Sequence, residues 1–141
     1  MDSLNRFVNA QASSYENALS EIKNGRKTSH WMWYIFPQIK GLGHSETARH
    51  FALEDKEEAE QYLNHPILGT RLVNISKELL KHKGQTANQI FGFPDDLKLH
   101  SSMTLFSILP DSDPIFKAIL SIYFHGLPDQ KTVEIVNGKF G

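Results

Sequence analysis

Residues able to do chemistry are densest between Gly25 and Ser45, GRKTSHWMWYIFPQIKGLGHS, which holds both tryptophans of the chain. Three kinds of chemistry are available there. His30 is the natural general acid or base. Trp31 and Trp33 offer flat faces on which a base or sugar can stack, although tryptophans bonded through their indole N–H are as often core. Gly41-Leu42-Gly43-His44-Ser45-Glu46 is a glycine turn running into a helix start. Free N–H groups there attract phosphate or carboxylate. Arg26, Lys27 and Lys40 can add positive charge, and Gln38 a polar contact. The plainer reading of the turn is a serine cap. The dinucleotide fingerprint needs a third glycine and a βαβ unit, and Glu46 stands where that glycine would be.

A second group lies at Lys98-Leu99-His100-Ser101-Ser102-Met103-Thr104. On a helix Lys98, Ser101 and Ser102 share a face, at i, i+3 and i+4. Lys98 and Ser101 are candidates for catalysis, Ser102 and Thr104 for ligand contact. Ser-x-x-Lys of the β-lactamases runs in the opposite order. Small hydroxyl residues also let helices pack closely, the commoner reason for them. Asp95, Asp96 and Asp129 read as acids at helix N-termini, with Asp129 at an N-cap and Thr132 at N3. The seven histidines are scattered and no metal-ligand spacing is present, so no metal and no cofactor is expected.

The elements that must position these groups are helices. Leu4, Phe7, Val8, Tyr15, Ala18, Leu19 and Ile22 form one stripe, with Asp2 or Ser3 as cap and Gly25 as stop. Ser29 caps a short helix over 30–35, and Pro37 to Gly43 must be loop, since Phe36 precedes a proline. Ser45 opens a helix to about Leu53. Asp55 with Glu58 and Thr86 with Gln89 are capping boxes. Pro66 starts a helix that Gly84 stops, and His65 reads as its cap. Pro94 opens the helix of the second group, although MTLFSIL there also has strand character. Asp113-Pro114 begins a helix closed by Gly126, and Asp129 caps the last one, ahead of a loose Lys139-Phe140-Gly141 tail. The fold class is all-α: one compact domain, residues 1–141, of roughly seven or eight helices.

Composition narrows the classes. Apolar residues make up 40% and charged ones 22%, enough for a buried core. A formal net charge of −1 gives no basic excess for nucleic acid or an anionic membrane. The chain has no cysteine, which excludes disulfides and thiol chemistry. No apolar run reaches membrane length and MDSLNRF is not a signal peptide, so a cytoplasmic protein is expected.

Nearly the whole chain resembles a family numbered domain of unknown function eighteen-ten, often labelled "calpastatin". The resemblance is carried by Gly25-Arg26-Lys27, by Ser29 through Gln38, by Gly41-Leu42-Gly43, and by His65-Pro66 with Leu68-Gly69. Further along, Ile90-Phe91-Gly92, Asp95-Asp96, Ser101 through Phe106, Asp129 and Thr132 continue it. It implies a compact bacterial-type cytosolic domain and brings no established activity. The calpastatin label implies a disordered, repeated chain, which capped and striped helices do not fit. A fainter similarity to NADAR families, linked to ADP-ribosyl and NAD-derived chemistry, implies only a ligand class. The function expected from all this is binding of an anionic, nucleotide-like small molecule, with hydrolysis of a glycosidic or phosphate bond as the reaction class. That site requires the segments 25–45 and 98–104 to meet at a concave pocket. The alternative is a non-catalytic protein-interaction domain that uses its aromatics as a patch.

Overall fold

Ten α-helices and one short 3-10 turn make up the structure, a computed structural model that describes residues 3–138. The proposed Asp2 cap and the Lys139–Gly141 tail lie outside the described residues. No strand occurs among them; the nearest approach is one isolated parallel bridge between Ile39 and Leu53. No described helix is long and apolar enough to cross a membrane.

The helix count exceeds seven or eight partly because the N-terminal stripe is interrupted. The N-terminal stripe is two helices, α1 (Asn5–Ala12) and α2 (Tyr15–Lys23), broken at Ser13-Ser14. The apolar face nevertheless continues across the break, through Phe7, Tyr15, Ala18 and Ile22, all buried. Gly25 ends α2 as expected: at φ +75° its N–H donates to the Ile22 carbonyl and the Arg26 N–H to that of Glu21, a Schellman pair. The helix read over 30–35 is only α3 (Met32–Ile35), without a side-chain cap. Ser29 is no cap: the helix begins at Met32 with Trp31 at the N-cap position, and the Ser29 backbone N–H is held by the Glu21 carboxylate.

Helix α4 (Glu46–Phe51) is capped by Ser45 and stops before Leu53. In α5 (Lys56–Asn64) Asp55 accepts the Glu58 N–H, but the Glu58 side chain turns to Arg6, Ser3 and Glu54 instead of completing the box. Helix α6 (Leu68–Leu79) starts two residues after Pro66, with His65 Nδ1 accepting the N–H groups of Ile67 and Leu68. It tightens into the 3-10 turn Leu80–His82. Helix α7 (Ala87–Phe91) has the complete Thr86–Gln89 capping box.

Helix α8 (Asp95–Ser107) is the centre of the fold, packed on α5, on α7, on α9 (Ile115–Phe124) and on α10 (Gln130–Val136). Every residue from Ser101 to Ser107 is buried. A helix enclosed on all sides shows no amphipathic stripe, so MTLFSIL carries no helical period although its first five residues, to Ser107, are helical. Its serines and threonines allow the neighbours close, and Ser107 donates back to the Thr104 carbonyl.

Candidate functional site

The aromatic stretch is set by one carboxylate. Glu21, on α2, accepts the backbone N–H of Thr28 at 2.7 Å, that of Ser29 at 3.0 Å and the Trp31 indole N–H at 2.9 Å. This draws the loop onto α2 and seats Trp31 in the core, 1% exposed, against Phe36 and Phe91. Trp33, two residues on, faces the other way and is half-buried. Partial burial pushes the Glu21 pKa up, but the hydrogen bonds from Ser29, Thr28 and Trp31 outweigh it and bring the value from 4.5 to about 2. A carboxylate with a lowered folded pKa stabilises above its unfolded value, and that stability is lost as pH falls. Thermal melts of the protein and of Glu21→Gln should therefore differ most above pH 4.5 and converge toward pH 2. A difference that stays constant over that window would show that the ionised form is not what holds the loop.

Trp33, Gln38, Leu42 and Gly43 form one wall of a 230 Å³ cleft. Pro94, Leu97, Lys98 and Ser101 form the second wall, and Asp129 with Lys131 closes it at the start of α10. The two segments singled out in the sequence thus meet. Lys98 Nζ stands 4.1 Å from the Trp33 ring centroid and 3.0 Å from Asp95 Oδ1. Asp95 Oδ2 holds Lys27 at 2.6 Å. Ser101 donates to Asp129 Oδ2 at 2.9 Å. Gln38 is 8% exposed and its Nε2 has no hydrogen-bond partner. Gly43 is required by packing: a Cβ there would stand 2.6 Å from the Ala48 Cβ and 3.3 Å from the Trp33 ring.

Other candidates are placed elsewhere. His30 is exposed and precedes α3, so it shares no helical face with Trp33 and does not line the cleft. Arg26 is exposed and also outside the lining. Lys27 is the counter-charge of Asp95, and Trp31 is core. Gly41, at φ +110°, lies beside Ile135, and Ser45 uses its hydroxyl on α4. Ser102 is buried with its Oγ unpartnered, and Thr104 Oγ1 accepts the Asp129 N–H at 2.8 Å. The aromatic run forms no exposed patch: Trp31, Ile35 and Phe36 are buried, Trp33 and Tyr34 half-buried.

Asp129 and Lys131 were not among the sequence candidates for the site. Asp129 occupies the predicted N-cap, yet its carboxylate makes no cap bond. Oδ2 takes the hydroxyls of Thr132, at 2.5 Å, and of Ser101. The Thr132 spacing was visible; the Ser101 contact, 28 residues away, has no local signal. A larger cavity, 510 Å³, lies between the α5–α6 hairpin and the residues after α8, lined by Glu60, His65, Asn74 and Asp113 among others. None of the residues with expected chemistry lines it, and His65 there is committed to its cap. Among the described residues no group of three or more histidines or acids is arranged to hold a metal ion.

Comparison with known proteins decides the family. The family described as "Protein of unknown function (DUF1810)" matches residues 1–136. The chain belongs to that family. A solved structure, the conserved hypothetical protein Rv1873 from Mycobacterium tuberculosis, is 44% identical, covers 95% of this chain and 96% of its own, and superposes with a TM-score of 0.93. No curated protein matches. The similarity to NADAR families has no counterpart in these comparisons. For a DUF1810 member the shared description brings a fold and no reaction, so function has to be argued from the cleft.

Proposed function

We propose that the cleft binds a small anionic molecule, the phosphate-bearing part of a nucleotide-like ligand of the NAD- or ADP-ribose-derived class. The observation that carries this is the convergence on one concave site of Lys98, Lys131 and Gln38, whose buried amide nitrogen has no hydrogen-bond partner. At 230 Å³ the cleft is below the range of roughly 300–1,000 Å³ typical of drug-sized ligands, so it takes a fragment and not a whole dinucleotide. Lys98 covers the Trp33 face, so a base stacks there only after the ammonium has moved to the ligand. Asp95 remains paired with Lys27 when that happens, which lowers the cost of the move. His30, the candidate general acid or base, lies outside the lining, and the role proposed is binding without turnover.

A thermal-shift screen with NAD, ADP-ribose, nucleotides and sugar phosphates tests this. A ligand at 100 times its dissociation constant stabilises by about 2.7 kcal/mol. Lys98→Ala should weaken the hit by roughly 10-fold or more, and Trp33→Ala should weaken it too. A screen with no shift at all would instead favour the interaction-domain alternative, for which the exposed residues Phe93, Leu97 and Leu127 are the apolar candidates.

A further inference from the structure

We infer that Asp129 makes the cleft selective for anions that carry a hydroxyl donor, that is, for a phosphorylated sugar over an anion with no proton to donate, such as sulfate. The inference rests on the anion-binding role proposed above and assigns the ligand class within it.

Asp129 is an N-cap residue whose carboxylate has been diverted from capping. Oδ2 accepts the Thr132 and Ser101 hydroxyls, and the backbone N–H donates to Thr104 Oγ1. All three partner residues are buried, so the group is held in one orientation. Among the described residues Oδ1 has no hydrogen-bond partner. Lys98 is paired with Asp95, and neither it nor Lys131 forms an ion pair with Asp129, although all three line the cleft. Gln38, 8% exposed and on the facing wall of the same cleft, has an amide nitrogen without a partner.

An ionised carboxylate is an acceptor only. Whatever faces Oδ1 must donate; an oxyanion facing it is repelled. The lysines and the Gln38 amide, conversely, ask for an acceptor. One ligand satisfies both sides only if it has an oxyanion and a donor within a few bonds of each other. A sugar phosphate has its donors as hydroxyls, whose bond to a carboxylate is charge-assisted and which, unlike an ammonium, bring no positive charge toward Lys98 and Lys131.

Titration calorimetry of the full chain with ribose 5-phosphate, sulfate and phosphoethanolamine tests the assignment. Ribose 5-phosphate should bind about 10-fold or more tighter than sulfate, the weight of one hydrogen bond to a charged group. Asp129→Asn should reduce that preference to within about 3-fold and bind sulfate at least as well as the native chain. Lys131→Met should weaken both ligands and leave their ratio unchanged. An intact preference in Asp129→Asn overturns the assignment, as does tighter binding of phosphoethanolamine, whose donor is an ammonium. If Asp129→Asn does not fold, the native chain decides alone: a preference under about 3-fold overturns it. Absence of binding by all three compounds removes the anion-binding role itself, and the selectivity with it.

Discussion

Gly69→Ala is expected to destabilise the protein by on the order of 3 kcal/mol, a fall in Tm of roughly 10 °C. Gly69 lies in the first turn of α6, where it passes the end of α5. A Cβ built there stands 1.9 Å from the Leu63 carbonyl oxygen and 2.8 Å from its carbon. Those are backbone atoms of the adjoining helix and cannot rotate away as a side chain tip would. Relief therefore requires α5 and α6 to separate, and both pack on the core through Tyr62, Leu68 and Leu72, each 1% exposed or less. The intrinsic gain of alanine over glycine in a helix, about 1 kcal/mol, is too small to offset this. Gly84→Ala is the control. No atom lies within 4 Å of its added Cβ and its φ is not positive, so its stability should change by less than about 0.5 kcal/mol. Urea denaturation of the two variants measures the contrast. Equal midpoints would mean that the α5–α6 contact opens without cost.

What the sequence made legible was local. Ser45, Thr86 with Gln89, His65 and Gly25 each satisfy backbone groups within a few residues, and each does what its type and spacing require. Helix α8 was harder, because enclosure on every side removes the contrast between faces from which periodicity is read. The division of the two tryptophans was half legible. Their positions forbid a common direction, but which of them is core depends on Glu21, ten residues before Trp31 and across a turn. The meeting of the two chemical segments was stated as a requirement, and Trp33 and Lys98 meet it. The remaining groups of the cleft come from contacts that span many residues. Asp129 looked like any helix cap, and only its bond to Ser101 marks it as part of a wall. Lys27 looked like a ligand contact for the same reason: its partner, Asp95, is far along the chain.

Asp95→Asn should be the most damaging polar substitution near the cleft, costing about 3 kcal/mol, the lower end for breaking a buried charge pair. Each carboxylate oxygen holds one lysine, Lys27 at 2.6 Å and Lys98 at 3.0 Å. Lys27 has little alternative: its side chain is 7% exposed, and Nζ also donates to the Ser29 carbonyl and stands 4.9 Å from the Trp31 ring centroid. Lys98, 20% exposed, can turn partly to water, which is why the lower end applies. Burial alone would raise the Asp95 pKa; the hydrogen bonds and charges of Lys27 and Lys98 outweigh it and leave it lowered. The stabilisation is therefore present above the unfolded carboxylate value and disappears as pH falls through the lowered one. In Asp95→Asn that part of the acid limb should be missing. Lys27→Met in the Asp95→Asn background should restore much of the loss, because the cost comes from a buried ammonium without an anion and not from the absent carboxylate as such. Denaturant midpoints of the native chain, the single variant and the double variant decide it. A double variant no more stable than Asp95→Asn would place the damage elsewhere, in the first turn of α8. The same comparison bears on the cleft, since Asp95 also fixes Lys98 over Trp33. Tryptophan emission should shift in Asp95→Asn and stay shifted in the double variant, which recovers the core pair without recovering the hold on Lys98.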